Sequence, residues 1–480
     1  MKTDLLVRLK STQAALLIGF FFPNPSARAS ERLSLESYRK AVAAESLKLS
    51  SLNAEEQSHE LETSQARYLT SPQAFAEYQD SKDKSPNLTP EFSGTERNGD
   101  ELKVGVQTQT SFGLKPRVFA FTQNQRVLNI SSLPNPNLSL KRRGYGLEAE
   151  LSLWKNAFGK DVRGQAEILK ALSNSKLHQA RTSRIMFELE ADLLYFETAY
   201  LKKAVQIQED LVRQGEKLVA WTRSQEADRL LEPVHVAQAL AANQSRKLSL
   251  VSLRQQFQTN LLKISQLINK PATEQHALDS IDQITRQIPS PRKTSTEKIT
   301  LKTFAGTLKA EKMNLELASE NFKPDLSLKA QYLTFSNAGR ADDSIRCQNP
   351  SDCRVLILSV NFTVPLDFSA WQKGAHSAAS RAFSLEKALE AEKQNSETEA
   401  AQLSLQAQAL QEEILSLEKL VQAQEQRLQH ERTRQARGRA TTFDLILSEQ
   451  ELGESRIALV QAKVRYLSTL AQFKLFEESK

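Results

Sequence analysis

The sequence predicts a mainly α fold with a β-barrel part, on three observations. Residues 369–438 keep a helical pattern without a proline for about 68 residues, and therefore about 100 Å at the rise of an α-helix. This helix follows a strand pattern in which Leu358, Val360 and Phe362 are separated by single polar residues. The same order of elements occurs twice along the chain. We therefore expect two repeats of long α-helical hairpins, packed as coiled coils, and four strands per chain that contribute to a barrel.

Composition and charge agree with long helices and exclude other classes of protein. Of 480 residues only 15 are glycine and 7% are aromatic, whereas Ala, Gln, Glu, Leu, Lys, Arg and Ser dominate. The formal charge is +7, and without the four basic residues and one acidic residue of the first 29 it is +7 − 3 = +4. A charge this mild does not indicate a nucleic-acid partner. After residue 29 no apolar run is long enough for a transmembrane helix, so a membrane form would cross by strands.

The N-terminus predicts a secretory signal peptide over residues 1–29. Lys2, Arg8 and Lys10 give a basic start, an apolar stretch follows, and Ala29 ends a small-residue cleavage site. A membrane anchor is the alternative, but the apolar stretch of about nine residues is short of the roughly 20 that span a bilayer. No cysteine follows the expected cleavage site, so a lipid anchor is not expected there.

The first repeat is expected to span residues 30–270. It begins with a polar helix from Leu33 to about Arg67, and residues 81–100 look like a loop because proline and glycine stand among charged residues. A short extended piece at 73–78 is compatible with the sequence. The other expected elements are strands at 102–110, 117–121 and 147–153, a long helix from Gly159 to Arg229, and a return helix from Pro233 to about Asn269.

The second repeat is expected to span residues 301–480, after a proline-containing linker at 271–300. Its elements repeat those of the first half. They are a helix at 301–321, strands at 325–335 and 354–364, the long helix that ends at Gly438, and a return helix from Phe443 to Phe476.

The hydrophobic stripes of these helices are narrow, and this indicates that the hairpins need neighbours. Leu445, Leu452 and Leu459 repeat every seven residues, as in a coiled-coil seam. Four strands cannot close a barrel with a lumen, but three copies would supply twelve. A homotrimer would therefore close both the sheet and a tube of helices.

Two segments resemble a known family. Residues 360–366 (Val-Asn-Phe-Thr-Val-Pro-Leu), which enter the long helix, and residues 438–445 (Gly-Arg-Ala-Thr-Thr-Phe-Asp-Leu), at its turn, are similar to those of TolC-type outer-membrane efflux and secretion channels. The resemblance implies a homotrimeric conduit in the outer membrane with a periplasmic helical extension. It further implies that a periplasmic adaptor joins the channel to an inner-membrane pump of RND or ABC type. The cargo would be small molecules or, in type I secretion, proteins.

The resemblance also places a periplasmic aperture at the helical turns. Secretion-type members carry two carboxylates three residues apart in the helix after the turn, whereas this chain has Asp444 and then Leu447. His235 occupies roughly the corresponding place in the first repeat. An ordinary role at a helix start is the alternative for Asp444. We expect a gate at Asp444, Arg437, Arg439, Glu226, Asp228 and His235. The arginines near the turn would pair with Glu226, Asp228 or Glu232 of the other hairpin, would meet the adaptor, or would remain a solvated helix end. These tip arginines are Arg427, Arg432, Arg434, Arg437 and Arg439.

Aromatic residues stand where strand becomes helix in each half. Their place predicts a periplasmic aromatic girdle of the barrel, and core packing at the junction is the alternative. These residues are Trp154, Phe158, Phe368 and Trp371. The region 73–125 is longer than the resemblance requires, and we expect an enlarged surface loop there.

Cys347 and Cys353, separated by five residues, are expected to form a disulfide because the protein is predicted to be exported. No metal or other cofactor is expected. The six histidines are dispersed, and the sequence contains no H-E-x-x-H, phosphate loop or G-x-S-x-G motif, so an enzyme is not expected. The alternative function is a soluble periplasmic coiled-coil adaptor or scaffold, although such adaptors usually carry only one hairpin.

Overall fold

The computed structural model describes residues 33–86, 88–131, 137–271, 278–287, 297–337, 353–437, 439 and 441–476. Helices dominate this part of the chain, and the strands form a single sheet. The helices are α1 Leu35–Glu45, α2 Leu47–Glu62, α3 Pro90–Ser93, α4 Lys160–Ala227, α5 Pro233–Ile268, α6 Ile281–Gln287, α7 Thr300–Asn321, α8 Phe368–Ala436 and α9 Thr442–Gln472. The strands are β1 Gln73–Asp83, β2 Glu96–Gln107, β3 Leu114–Leu128, β4 Leu138–Ser152, β5 Asp325–Asn337 and β6 Cys353–Thr363.

The sheet is antiparallel, and its six strands lie in the order β1-β2-β3-β4-β5-β6. The expectation of four strands per chain is therefore wrong. Residues 81–100 are not simply a loop, because β1 extends to Asp83 and β2 begins at Glu96. The enlarged surface loop expected within 73–125 is likewise wrong, since this region supplies β1, β2 and most of β3 to the sheet.

One face of the sheet is apolar and exposed across all six strands. Register places Val104 beside Ala120, and Val118 beside Leu147. The same face continues through Tyr332. On β6 Leu358 and Val360 each remain 66% exposed. Such a band costs free energy in water, at about 25 cal/mol per Å² of apolar surface, and suits contact with lipid.

The opposite face combines charges with a cluster of phenylalanines. Arg117 lies between Glu77, at 2.5 Å, and Glu148, at 3.7 Å. Phe119 and Phe121 are buried, with ring centroids 6.3 Å apart, and Phe335 lies the same distance beyond Phe121. One face of the sheet is thus polar and partly aromatic, and the other is apolar, as the strand pattern predicts.

The long helices form two antiparallel hairpins, α4–α5 and α8–α9, and the periodicity of the sequence placed each of them within a few residues. The main hydrophobic core lies midway along the long arms α4 and α8, where the return helices α5 and α9 end. Tyr38, Tyr195, Phe196, Ile264 and Leu467 are almost completely buried there. Segments from both ends of the described chain pack into this core, which therefore holds the two hairpins together.

Two expected elements differ from the structure. The helix predicted from Leu33 to Arg67 is divided at Ser46, because the Ser46 hydroxyl accepts a hydrogen bond from Leu49 N (3.3 Å) and so starts a new helix. Thr63–Thr70 is a 3₁₀ helix. The linker is also not free of structure, since Ile281–Gln287 forms α6.

The sheet joins the helices through a close backbone contact. Gly113, in the β2–β3 turn, and Gly159, at the start of α4, have φ values of +81° and +76°. A Cβ atom on Gly159 would lie 2.2 Å from Ser111 O, so only glycine fits there. The turn is thereby fixed against the base of the long helix.

None of the helices in the described ranges combines the length and apolar character needed to cross a bilayer.

Candidate functional site: the helical tips and the hairpin junction

The two hairpins end in turns built in different ways. In the first, Asp228 is the C-cap of α4 and Arg229 adopts the left-handed conformation (φ 57°). The N–H of Arg229 donates to Glu226 O at 2.9 Å. Pro233 then starts α5 at the first-turn position that suits proline. In the second, Thr441 is the N-cap of α9. These local signals explain why both long helices reverse where the sequence predicts.

Asp444 completes a capping box with Thr441. Its carboxylate accepts hydrogen bonds from Thr441 Oγ1 (2.6 Å) and Thr441 N (3.2 Å), and its own N–H donates to Thr441 Oγ1 (3.1 Å). The hydrogen bonds from Thr441 hold the pKa of the Asp444 carboxyl below its usual value, and Arg434 and Arg427 act in the same direction. The helix-start role of Asp444 is therefore visible in the structure, and an aperture role stays a prediction.

His235 occupies the equivalent place in the first hairpin. It lies three residues after the N-cap Glu232, as Asp444 lies three residues after Thr441. Its N–H donates to Glu232 O at 3.0 Å. The ring Nδ1 is buried and has no hydrogen-bond partner within this chain. The two hairpins thus present a histidine and a carboxylate at matched positions.

The tip arginines pair mainly within their own hairpin. Arg427 pairs with Glu451, and Arg434 pairs with Glu431 at 2.9 Å. Arg434 also donates to Arg439 O at 3.2 Å. Arg437 and Arg439 are exposed. Over the described ranges no ion pair connects the tip arginines to Glu226, Asp228 or Glu232, so the expected contact between hairpins is not made inside one chain.

A buried ion pair behind the tip joins the hairpins instead. Arg246 on α5 and Glu449 on α9 are 8% and 3% exposed, and Arg246 Nη1 donates to Glu449 Oε2 at 3.0 Å. Arg246 Nη1 also donates to Leu211 O on α4 at 3.1 Å, and Arg432 Nη2 on α8 lies 3.3 Å from Glu449 Oε1. All four long helices therefore meet at this point, the hairpin junction. Sequence reasoning missed it.

A signal for the hairpin junction was present in the seams. Arg246 follows Ala239 and Asn243 and precedes Leu250 at spacings of three and four residues, and all four side chains are buried. Glu449 lies between Leu445 and Leu452 in the same way. A charged residue in such a position has to find a partner on a neighbouring helix.

Small residues let the helices approach at this level. A Cβ atom on Gly215 of α4 would lie 2.5 Å from Asn243 Oδ1 on α5, and one on Gly453 of α9 would lie 2.4 Å from Leu211 Cδ1 on α4. The two glycines open room for contacts within the first hairpin and between the hairpins. The junction is therefore packed closely around its charges.

The aromatic residues predicted at the strand–helix boundary are described only in part. Trp154 and Phe158 are 49% and 62% exposed. This exposure disfavours core packing for these two residues and is compatible with a girdle. The side chains of Phe368 and Trp371 lie outside the described structure, so the girdle stays a prediction.

Only one of the two cysteines, Cys353, lies among the described residues. Cys353 begins β6 and is disulfide-bonded. Cys347 lies outside the described residues, and the pairing of the two stays a prediction. Among the residues that the structure describes, no group of three or more His, Cys, Asp or Glu side chains is placed to hold a metal ion.

An antiparallel sheet with an exposed apolar face, continued into two very long helical hairpins, is also the fold of several solved outer-membrane proteins and channels. Their structures match nearly the whole chain. The channel CusC matches with a TM-score of 0.67 at 15% identity over 92% of both chains. VceC from Vibrio cholerae matches with a TM-score of 0.67 at 17% identity over 92% of this chain and 95% of its own. The open state of MtrE from Neisseria gonorrhoeae matches with a TM-score of 0.61 at 14% identity over 97% of both chains.

The similarity is one of structure rather than of sequence. No protein-family profile matches the chain, and no curated protein is significantly similar to it. These structures confirm the predicted fold, a mainly α chain with a β-barrel part, while the number of strands per chain is six rather than four.

Proposed function

We propose that the protein is a homotrimeric channel of the outer membrane, the exit duct of an export system for small molecules or proteins. The observation that carries this proposal is the sheet, which is apolar and exposed on one face and charged on the other. A water-filled barrel in lipid needs this distribution, and a soluble protein does not tolerate it easily. The long hairpins then form the periplasmic extension.

The partners follow from the same proposal. The long arms of the hairpins, α4 with 68 residues and α8 with 69, are about 100 Å long at the α-helical rise and would reach deep into the periplasm. There their tips would meet a periplasmic adaptor and an inner-membrane pump of RND or ABC type. Residues 1–29 would direct export and be removed, and the halves 30–270 and 301–480, joined by the 271–300 linker, would be structural repeats.

Channel activity tests the proposal directly. Purified protein in planar lipid bilayers should give discrete ion-conducting steps, and it should need detergent to remain in solution. A soluble periplasmic adaptor, the alternative function, would be released with the periplasm and would not conduct. Absence of conductance from a protein that is inserted in the bilayer would contradict the proposal.

The gate is proposed at the hairpin tips. Since Arg437 and Arg439 make no ion pair with Glu226 or Asp228 inside the chain, we place those contacts between copies in the trimer. His235 and Asp444 would line the aperture from the two hairpins. The aromatic residues Trp154, Phe158, Phe368 and Trp371 would form the periplasmic girdle of the barrel.

Charge reversal at the tip is expected to open this gate. The double variant Arg437→Glu, Arg439→Glu should raise single-channel conductance, because like charges would then face each other across the aperture. The control is the double variant Arg213→Glu, Arg254→Glu. It changes the net charge by the same amount, but at positions within α4 and α5 and away from the turns. Unchanged conductance in the tip variant, or an equal rise in the control, would remove the gate proposal.

A further inference from the structure

We propose that β1 of one copy pairs with β6 of the next, so that three chains close an eighteen-stranded barrel rather than a twelve-stranded one. This inference rests on the proposed trimeric channel. It assigns the two free sheet edges to each other and makes the β1–β2 hairpin part of the membrane wall.

The first support is the way β1 and β2 are built into the sheet. The β1–β2 ladder runs without interruption from Gln73↔Gln107 to Asp83↔Arg97. The β2–β3 ladder runs from Glu96↔Leu128 to Gln107↔Arg117. A surface loop that merely lay over the barrel would not pair along its whole length. The hairpin therefore has the geometry of two ordinary wall strands.

The second support is the outward face. Tyr78 on β1 lies beside Leu102 on β2, and Ala76 lies beside Val104. Tyr78 is 69% exposed, and Leu102 and Val104 are 40% and 51% exposed. The apolar band of β3–β6 thus continues to the last strand. If β1 and β2 lay outside the membrane, this part of the band would face water.

The third support is the inward face. Glu77 of β1 pairs with Arg117 of β3, which also stacks on the Phe75 ring at 4.2 Å from its centroid. Phe75 in turn contacts Phe119 edge-on, at 6.4 Å between centroids. These contacts reach from β1 to β3 across β2 and fix the β1–β2 hairpin to the rest of the sheet. They would be lost if the sheet ended at β3.

The two edges are matched to each other. β1 and β6 each have 11 residues, and each has a strand neighbour on one side only within the described sheet. With six antiparallel strands per chain, β6 and the β1 of a second copy run in opposite directions, as an antiparallel pair requires. Unpaired backbone N–H and C=O groups are strongly unfavourable in hydrocarbon, so the two edges need a partner in the membrane. A second copy supplies it.

The strand number sets the width of the lumen. With strands about 4.8 Å apart and tilted by about 40°, eighteen strands enclose a cylinder roughly 36 Å across, against roughly 24 Å for twelve. The barrel would then be wide enough that export is not limited by the membrane-spanning part.

Cross-linking of the full-length channel in membranes tests the edge pairing. In a Cys347→Ser, Cys353→Ser background, Tyr78→Cys on β1 is combined in turn with Leu356→Cys, Leu358→Cys or Val360→Cys on β6. Side chains opposite each other on neighbouring strands have Cβ atoms about 5 Å apart, within reach of a disulfide. We expect oxidation to give covalent dimers and trimers with at least one of these pairs. The matched control joins Val118→Cys on β3 with the same β6 positions, and should give none.

The opposite pattern would overturn the inference. Oligomers from β3–β6 pairs but not from β1–β6 pairs would show that β3 is the closing edge and the barrel has twelve strands. Electron microscopy of the unmodified channel in nanodiscs measures the barrel diameter without any substitution. A diameter of roughly 36 Å is expected, and one of roughly 24 Å would contradict the inference. A trimer with the narrow barrel would end this inference alone, whereas a particle that is not trimeric would end the proposed function as well.

Discussion

Two buried carboxylates, Asp192 and Glu449, hold the helical hairpins together in different ways. Asp192, midway along α4, is 2% exposed and pairs with Arg39 at 2.8 Å and Lys474 at 2.6 Å. The side chains of these two partners remain 42% and 35% exposed. Glu449, near the tip, is matched to Arg246, whose side chain is only 9% exposed. Both partners of Asp192 are therefore partly exposed, whereas Glu449 has one largely buried partner, Arg246, besides the half-exposed Arg432.

The surroundings of the two carboxylates differ as well. Asp192 lies beside the largest hydrophobic cluster, with the stacked rings of Tyr38 and Tyr195 at 5.1 Å. Burial raises the pKa of Tyr38, and the charge of Asp192 raises it further. The cluster beside Glu449 is much smaller. The middle of the molecule is therefore held mainly by apolar burial, and the tip depends more on its charges.

The largest effect is expected when the buried pair at the hairpin junction is broken. Glu449→Ala leaves the Arg246 guanidinium buried without its charged partner, at a cost of about 3–5 kcal/mol. Because apolar burial nearby is small, the loss should appear as faster hydrogen exchange of α5 and α9 around these residues, while the middle of α4 stays protected.

A matched control lies two residues along the same helix. Glu451 pairs with Arg427, and both side chains are partly exposed. Glu451→Ala should change stability by no more than about 1 kcal/mol. If Glu449→Ala and Glu451→Ala accelerated exchange equally, the junction would contribute nothing special.

A smaller effect is expected at Asp192. Asp192→Asn keeps the shape of the side chain and removes its charge, and Arg39 and Lys474 can then turn toward water. We expect a loss of about 1–3 kcal/mol, seen as a lower thermal midpoint by circular dichroism at 222 nm. Asp210→Asn, which removes an exposed pair with Arg213 on the same helix, is the control and should leave the midpoint nearly unchanged. A midpoint for Asp192→Asn no lower than that of the control would contradict the comparison.

The smallest effect is expected at the exposed cap of α9. The pKa of Asp444 is lower in the folded protein than its ordinary value of 3.8. Its ionised form therefore stabilises the fold at pH values above the ordinary pKa, and the contribution is lost as the pH falls through the folded pKa. Asp444→Asn should speed hydrogen exchange in the first turn of α9 at neutral pH and differ little from the unmodified chain in acid. The control Glu454→Gln should leave that turn unchanged at every pH. A difference at Asp444→Asn that persisted undiminished in acid would argue against this origin.

The sequence predicts the helices well because their signals are local. A helix such as α8 carries its 3.6-residue period for many turns, and prolines and capping residues mark where the helices begin. Even so, the sequence does not predict the break at Ser46, since a serine within a polar helix pattern does not by itself indicate a new N-cap. Boundaries of this kind depend on the packing of the flanking segments.

The strands and the hairpin junction show what local signals omit. The sequence predicts a loop from residue 81 onward because proline and glycine stand among charged residues there. The last three residues of β1, 81–83, fall in that range, and they are polar and lack the apolar alternation of a half-buried strand. The pairing of β1 with β2 is what defines the strand. Arg246 and Glu449 are separated by 203 residues, so no local pattern connects them. Only the tertiary structure shows that two charges in separate seams meet.

The central claim, that the sheet spans a bilayer, is tested most directly by washing isolated cell envelopes with alkaline carbonate and then separating the inner and outer membranes. We predict that the full-length chain resists extraction and sediments with the outer membrane. Release into the wash, or recovery with the soluble periplasmic proteins, would contradict the account.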